Sequence, residues 1–390
     1  MRVSATRRTG VTPMFLSLLF AAVCIAAPAV SVAQAGNTQT LDPTGPMPYD
    51  IVVDWMQPFA QQGYTWGGNS GIHVESKDRI LIVQRGETQL PDPLPPEYTN
   101  YAGSMGWNVI QGRGRTWQNL LYVINSEGEL QEVWDQWDHL WAGTDGPGPH
   151  RLRVSPYDPE RKVWVIEETG HVIYIFSQDG KELLKTLGEK NVSASDRTHF
   201  GKPQDVVFLP DGHVLVADGL ENARVVVLNS DGEYVSEFGS RGEQPGQFLS
   251  VHGMALGPDN MLYVVDRDAL NVQVFEHVNR GVAGAVPEFE FRSRWLGPNF
   301  PLDIIVSDEY AWVTDIRPTK VLQFDLQGNH IYTWLLPPDG PGAWLEMHSF
   351  AVDADGNLYG TDNQYARPQK LVPRADADPK HLIQPQYVPR

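Results

Sequence analysis

Three histidines, His150, His252 and His348, each stand just before a short apolar run that leads through a turn into a strand. The runs are LRV, GMAL and SFAV, and the histidines are 102 and 96 residues apart. Neutral imidazole suits a borderline divalent metal, and three imidazoles with an open position make a catalytic type of zinc site. Such a site lowers the pKa of bound water towards ~7 and polarises a bound hydroxyl or carbonyl. A single histidine more often only hydrogen-bonds within a fold; the phase shared by three points to one ion. Arg85 in IVQRG and Arg267 in VVDRD share a second phase, at strand ends. A guanidinium fork suits a carboxylate or developing negative charge. The competing use of these arginines is an ion pair with Asp266, Glu87 or Glu168.

Residues so far apart meet only if the chain closes on itself. The segments beginning at Ser70, His150, Gln204, His252, Leu302 and His348 recur at about fifty residues, the signature of a repeat architecture. Each reads apolar strand, Asp/Gly-type turn, apolar strand, polar turn, alternating strand, and usually an outer strand. Asp211-Gly212, Asp231-Gly232 and Asp355-Gly356 are the dipeptides that tight hairpins demand. Six such units predict an all-β, six-bladed β-propeller. Its alternate units, two, four and six, carry the histidines. The sixth unit lacks an outer strand, and Asp50 to Gln57 (DIVVDWMQ) has strand character, so an N-terminal strand is expected to close the ring and cover the exposed edges. The aspartates ending strands, Asp218, Asp266, Asp315 and Asp362, are expected to accept hydrogen bonds from turn amides.

The expected organisation is a signal peptide over 1–35, a linker over 36–47, the propeller over 48–374 and a tail over 375–390. Arg2, Arg7 and Arg8 precede an apolar run from Met14 to Val32, and Ala33-Gln34-Ala35 has a small-x-small cleavage pattern. The expected location is periplasmic or secreted. Cys24, the one cysteine, lies inside that signal, so thiolate ligands and disulfides are unavailable to the mature chain. Removing three arginines and no acid takes the net charge from −18 to −21. So acidic a chain repels nucleic acid and anionic membrane, and neither is an expected partner; the partner expected from the candidate site is a small-molecule substrate. The oligomeric state is not fixed by the sequence.

Leu90 to Gln118 interrupts the first unit with PDPLPPEYTNY and GRGRTW, a connection long enough to be functional and placed to roof the channel. Trp134, Trp137 and Trp141 run towards His150 and suit either ring stacking or blade packing.

The units FGKPQDVVFLPDGHVLVADGLENARVVVL and FLSVHGMALGPDNMLYVVDRDALNVQVF resemble NHL repeats. The whole repeat region is similar to the catalytic domain of peptidyl-α-hydroxyglycine α-amidating lyases. The resemblance implies that His150 (GPGPHRL), His252 (LSVHGMALGP) and His348 (LEMHSFAVDADG) hold a catalytic zinc. It also implies that Arg85 and Arg267 are active-site arginines. Leu220 stands where the family has its catalytic tyrosine, with Tyr64, Tyr98 and Tyr101 as conceivable substitutes. Ser349 stands where the family has an aspartate that helps hold a structural Ca2+, which removes one of its ligands.

The sequence therefore supports an exported metal-dependent lyase or hydrolase, with Zn2+ or another divalent first-row metal. Its substrate would be small and bear a carboxylate or hydroxyl. A non-catalytic propeller that binds a protein, peptide or glycan is the alternative. A lactonase-like hydrolase using carboxylate ligands is a third reading.

Overall fold

The computed structural model describes residues 41–56, 59–99, 102–105 and 114–390. The expected signal peptide and the start of the linker, 36–40, lie outside these residues, as do Tyr101 and the middle of the first-unit insertion.

The described chain is a six-bladed β-propeller. Each blade is a four-stranded antiparallel sheet. The innermost strands are Asn69–Ser76, Pro149–Val154, Pro203–Phe208, Val251–Leu256, Pro301–Val306 and Met347–Val352. Each packs against the next, and the sixth packs against the first, so the ring is complete.

The sequence folds this way because the middle strands must be apolar on both faces. In Val163–Glu167 of blade two, Val163 and Val165 join the core shared with blade one. Trp164 and Ile166 join the core shared with blade three. Leu215 and Val216 of blade three divide in the same way, towards blades four and two. Six apolar clusters therefore fill the six gaps between blades. Burying each large side chain contributes roughly 1.5–3 kcal/mol.

Tyr49–Ile51 runs antiparallel to Arg367–Pro373 as the outer strand of blade six, with Asp50 opposite Val372. This strand is shorter than the sequence suggests. Trp55 and Met56 instead drop into the gap between blades six and one, where the Trp55 indole donates to Ser126 O at 2.8 Å.

The insertion in blade one begins and ends in a separate three-stranded sheet of Tyr64–Trp66, Glu87–Gln89 and Arg115–Thr116. Trp134 and Trp141 are buried between blades one and two, and Trp137 packs against them, so packing accounts for all three. The segment after Arg374 docks across the channel mouth opposite the histidines. Gln386 Nε2 donates to Leu256 O at 2.6 Å, and Val306 N donates to Gln386 Oε1 at 3.0 Å. The Tyr157 hydroxyl donates to Pro389 O at 2.8 Å, which carries the strap over to blade two. Among the described residues no helix is long and apolar enough to cross a membrane.

Candidate metal centre

The residues that start the six repeats share one local device. In every blade the innermost strand slips register against its neighbour at that residue. Asn69 pairs with Gln84 and Gly71 with Val83, so Ser70 is passed over. His150, Gln204, His252, Leu302 and His348 are passed over in the same manner. A bulge leaves one residue out of the ladder and re-aims its side chain. Here it frees the main-chain oxygens of the intervening blades as well.

Those oxygens are used at once. His150 Nδ1 lies 2.7 Å from Gln204 O, His252 Nδ1 2.6 Å from Leu302 O, and His348 Nδ1 2.6 Å from Ser70 O. A carbonyl only accepts, so each Nδ1 carries the proton and donates it. The three Nε2 atoms are left as bare lone pairs. They converge: the three candidate ligand atoms lie within 4.8 Å of one another. The rings meet at 82°, 79° and 75°, close to mutually perpendicular. All three histidines are buried, at 0%, 1% and 3% exposure.

The electrostatics agree with neutral rings. Burial, then the other two histidines and the arginines Arg85 and Arg151, hold the His150 pKa well below the ordinary range. Burial followed by Arg267 does the same for His252, and burial followed by Arg85 for His348. His150 Nε2 and His252 Nε2 therefore face each other at 3.3 Å without a proton between them. Two lone pairs at that separation repel unless a cation sits between them. The edge of a tetrahedral zinc site with Zn–N of about 2.0–2.1 Å is also about 3.3 Å. In donor type, and in the spacing of this pair, the set fits the metal that the sequence resemblance implies, with the third candidate atom within 4.8 Å.

Both candidate arginines stand by the histidines, and both are already paired. Arg85 Nη2 contacts the buried Glu168 Oε1 at 2.8 Å, and Gln204 Nε2 holds the other oxygen at 2.9 Å. Arg85 Nε is buried without a hydrogen-bond partner among the described residues. Arg267 pairs with its neighbour Asp268 at 2.9 Å, and not with Asp266, and lies 5.1 Å from the Phe300 ring centroid.

Sequence reasoning missed Glu346. Its Oε1 lies 4.0 Å from His348 Nε2, and Asn363 and Gln364 donate to its two oxygens. Glu346 stands two residues before His348 in the sequence, and the side-chain amides of Asn363 and Gln364 hold its carboxylate beside the ring. The strand-ending aspartates do accept amide hydrogen bonds, largely from the loop that enters the innermost strand. Asp266 takes Leu249 N and Ser250 N, and Asp362 takes Leu345 N and Glu346 N. They thus anchor the backbone just ahead of His252 and His348.

Leu220 is partly exposed, and its carbonyl accepts from Arg241. Among the described residues, no hydrogen bond or ring contact joins Tyr64 or Tyr98 to the three histidines. Below the histidines, Arg151 bridges Asp205, at 3.1 Å, and Asp303. The Ser349 hydroxyl donates to Asp303 at 3.0 Å.

The fold is that of a β-propeller, and residues 200–228 within it match the family model described as the NHL repeat. The chain's sequence relatives include proteins named as peptidyl-α-hydroxyglycine α-amidating lyases and peptidyl-glycine α-amidating monooxygenases. A Caenorhabditis elegans protein named as a probable amidating lyase is 32% identical over 130 residues, 33% of this chain and 36% of that one. Peptidyl-α-hydroxyglycine α-amidating lyase 1 of Drosophila melanogaster is 34% identical over 259 residues, 60% of this chain and 46% of that one. Peptidyl-glycine α-amidating monooxygenase B of Xenopus laevis is 31% identical over 76% of this chain and 33% of its own length. The matched stretches span between a third and a half of these three relatives. A solved structure described as a candidate gluconolactonase aligns over 84% of this chain and 93% of its own, with TM-score 0.51 and 14% identity, a likeness of fold alone.

Proposed function

We propose that the chain is an exported metal-dependent lyase or hydrolase whose zinc is held by His150, His252 and His348. The observation that carries this reading is the trio of Nδ1–H···O=C bonds, which fixes one tautomer in all three rings and aims three lone pairs at one point. Outer partners of this kind orient metal-ligating imidazoles and raise their basicity. A bound zinc ion supplies a Lewis acid for a hydroxyl or carbonyl.

The chain's own groups then set what enters. Arg85, held by Glu168, and Arg267, held by Asp268, give the histidine end of the channel two fixed cations, which favours a carboxylate-bearing substrate. Glu346 Oε1 is placed to accept a hydrogen bond from a substrate hydroxyl beside His348. With Leu220 in place of the family tyrosine, the reaction need not be that of the amidating lyases. Its substrate is a small hydroxylated or carboxylated molecule.

The test is metal analysis of the purified protein and of His252→Ala, followed by a turnover screen over α-hydroxyamides, lactones and hydroxy acids with the zinc-loaded protein. One equivalent of zinc, lost in the variant, with turnover of one class, is the expected result. Metal-free protein in both cases leaves a binding propeller in its place.

A further inference from the structure

The channel continues past the histidines and is divided there. Arg151, Asp205 and Asp303 are buried and ion-paired across it, with Arg153 Nε and Nη2 each 3.0 Å from Asp205. On the far side of this partition is a cavity of ≈ 350 Å³, roofed by the strap over 385–389. Its walls are largely apolar, with Val207, Ala255, Ile305 and Ala351 from the innermost strands and Pro385 and Val388 from the strap.

Three basic side chains, His73, Arg153 and Arg161, line the same space. The carboxylates nearby are all engaged. Asp205 and Asp303 face the two arginines of the partition, and Glu75 accepts from Arg161 Nε at 2.9 Å and Arg79 Nε at 3.1 Å. The donors are not used up. His73 has no hydrogen-bond partner among the described residues. Arg153 Nη1 and Arg161 Nη2 are likewise free of one there, on side chains 19% and 30% exposed. Burial, with Arg153 and Arg161 adding to it, lowers the His73 pKa to about 3, so the ring is neutral and has one N–H to give. A pocket with apolar walls and a few converging polar groups is the ordinary form of a small-molecule site. Here those groups are donors in search of an acceptor, and charge-assisted bonds to a carboxylate are the strong way to satisfy them.

We propose that this cavity is a second ligand site, separate from the histidine centre, for a small carboxylate with an apolar body. The carboxylate sits between His73, Arg153 and Arg161, and the apolar body lies against Ala255, Ile305 and Val388.

Calorimetric titration of the full chain with hexanoate and with hexan-1-ol tests it. Hexanoate is expected to bind with a Kd of about 1 mM or tighter. Hexan-1-ol, which lacks the charge, is expected to bind about tenfold more weakly or worse. His73→Leu should weaken hexanoate by about tenfold, since it removes one donor to a charged acceptor. Ala351→Phe, which fills the cavity without touching a donor, should abolish binding. His252→Ala should leave it unchanged, whether or not that protein holds zinc. Equal binding of the alcohol, absence of binding, or loss in His252→Ala but not in Ala351→Phe would each overturn the second site.

Discussion

The Nδ1 of His252 lies 2.6 Å from the main-chain oxygen of Leu302, fifty residues onward and one blade away. The two residues hold the same place in successive repeats, and each is the extra residue of a bulge. One contributes a ring and the other a carbonyl, and the pattern is repeated by His150 with Gln204 and by His348 with Ser70. Six blades thereby produce threefold donor convergence, which the repeat alone would not.

Gly253 guards that relationship. A Cβ added there would meet Leu302 O at 2.9 Å, so Gly253→Val must displace the carbonyl that orients His252. The expected result is zinc affinity lowered by about 10–100-fold with every ligand intact. Competition against a chromophoric chelator measures it, and unchanged affinity would show that the carbonyl is not needed.

Arg85→Ala should separate binding of metal from handling of substrate. The guanidinium approaches Glu168 and not the histidine nitrogens. Zinc content should therefore stay at one equivalent, while turnover of a carboxylate substrate falls by about a hundredfold. Loss of zinc in this variant would assign Arg85 to the metal site instead.

The partition below the histidines is a stability element. Arg151→Met leaves Asp205 and Asp303, both buried, to share Arg153 alone. Breaking a buried ionic cluster from one side costs about 3–5 kcal/mol, and urea unfolding of the variant should show a loss of that order. A shift under about 0.5 kcal/mol, as for an ordinary surface substitution, would contradict the ion-paired partition.

Glu167 gives the folded chain a pH dependence. Burial raises its pKa from 4.5 to about 7, against the lowering effect of the Gly170 and Thr169 amides. Between those values the folded state keeps a proton that the unfolded state has released. Stability from this group is therefore present at low pH and falls as pH rises from 4.5 to about 7, by about 3 kcal/mol in all. Urea midpoints at pH 5 and pH 8 should differ by less in Glu167→Gln than in the parent; an equal difference would place the titration elsewhere.

Much of the architecture is legible in residues such as Val163 to Ile166, whose continuous apolar run follows from burial against a blade on either side. The phase of His150, His252 and His348 is legible too, because a circular repeat turns equal phase into nearness. The bulges are not. An extra residue in a strand carries no mark of composition, so the carbonyl acceptors could not be read in advance, nor could the contacts with Asn363 and Gln364 that hold Glu346 beside His348. The strand predicted over Asp50 to Gln57 stops at Ile51, because Trp55 and Met56 gain more from the gap between blades than from a solvated edge.

Repetition at a fixed interval, with apolar runs suited to burial on two sides, determined the six-bladed ring and chose the residues that line its axis. What each of those residues meets was settled only by closure. The arginine at 151 finds aspartates 54 and 152 positions away, and Arg267 turns to the adjacent Asp268. Ion pairs and hydrogen bonds act over a few ångströms, and such distances between remote residues exist only once the last blade has packed against the first.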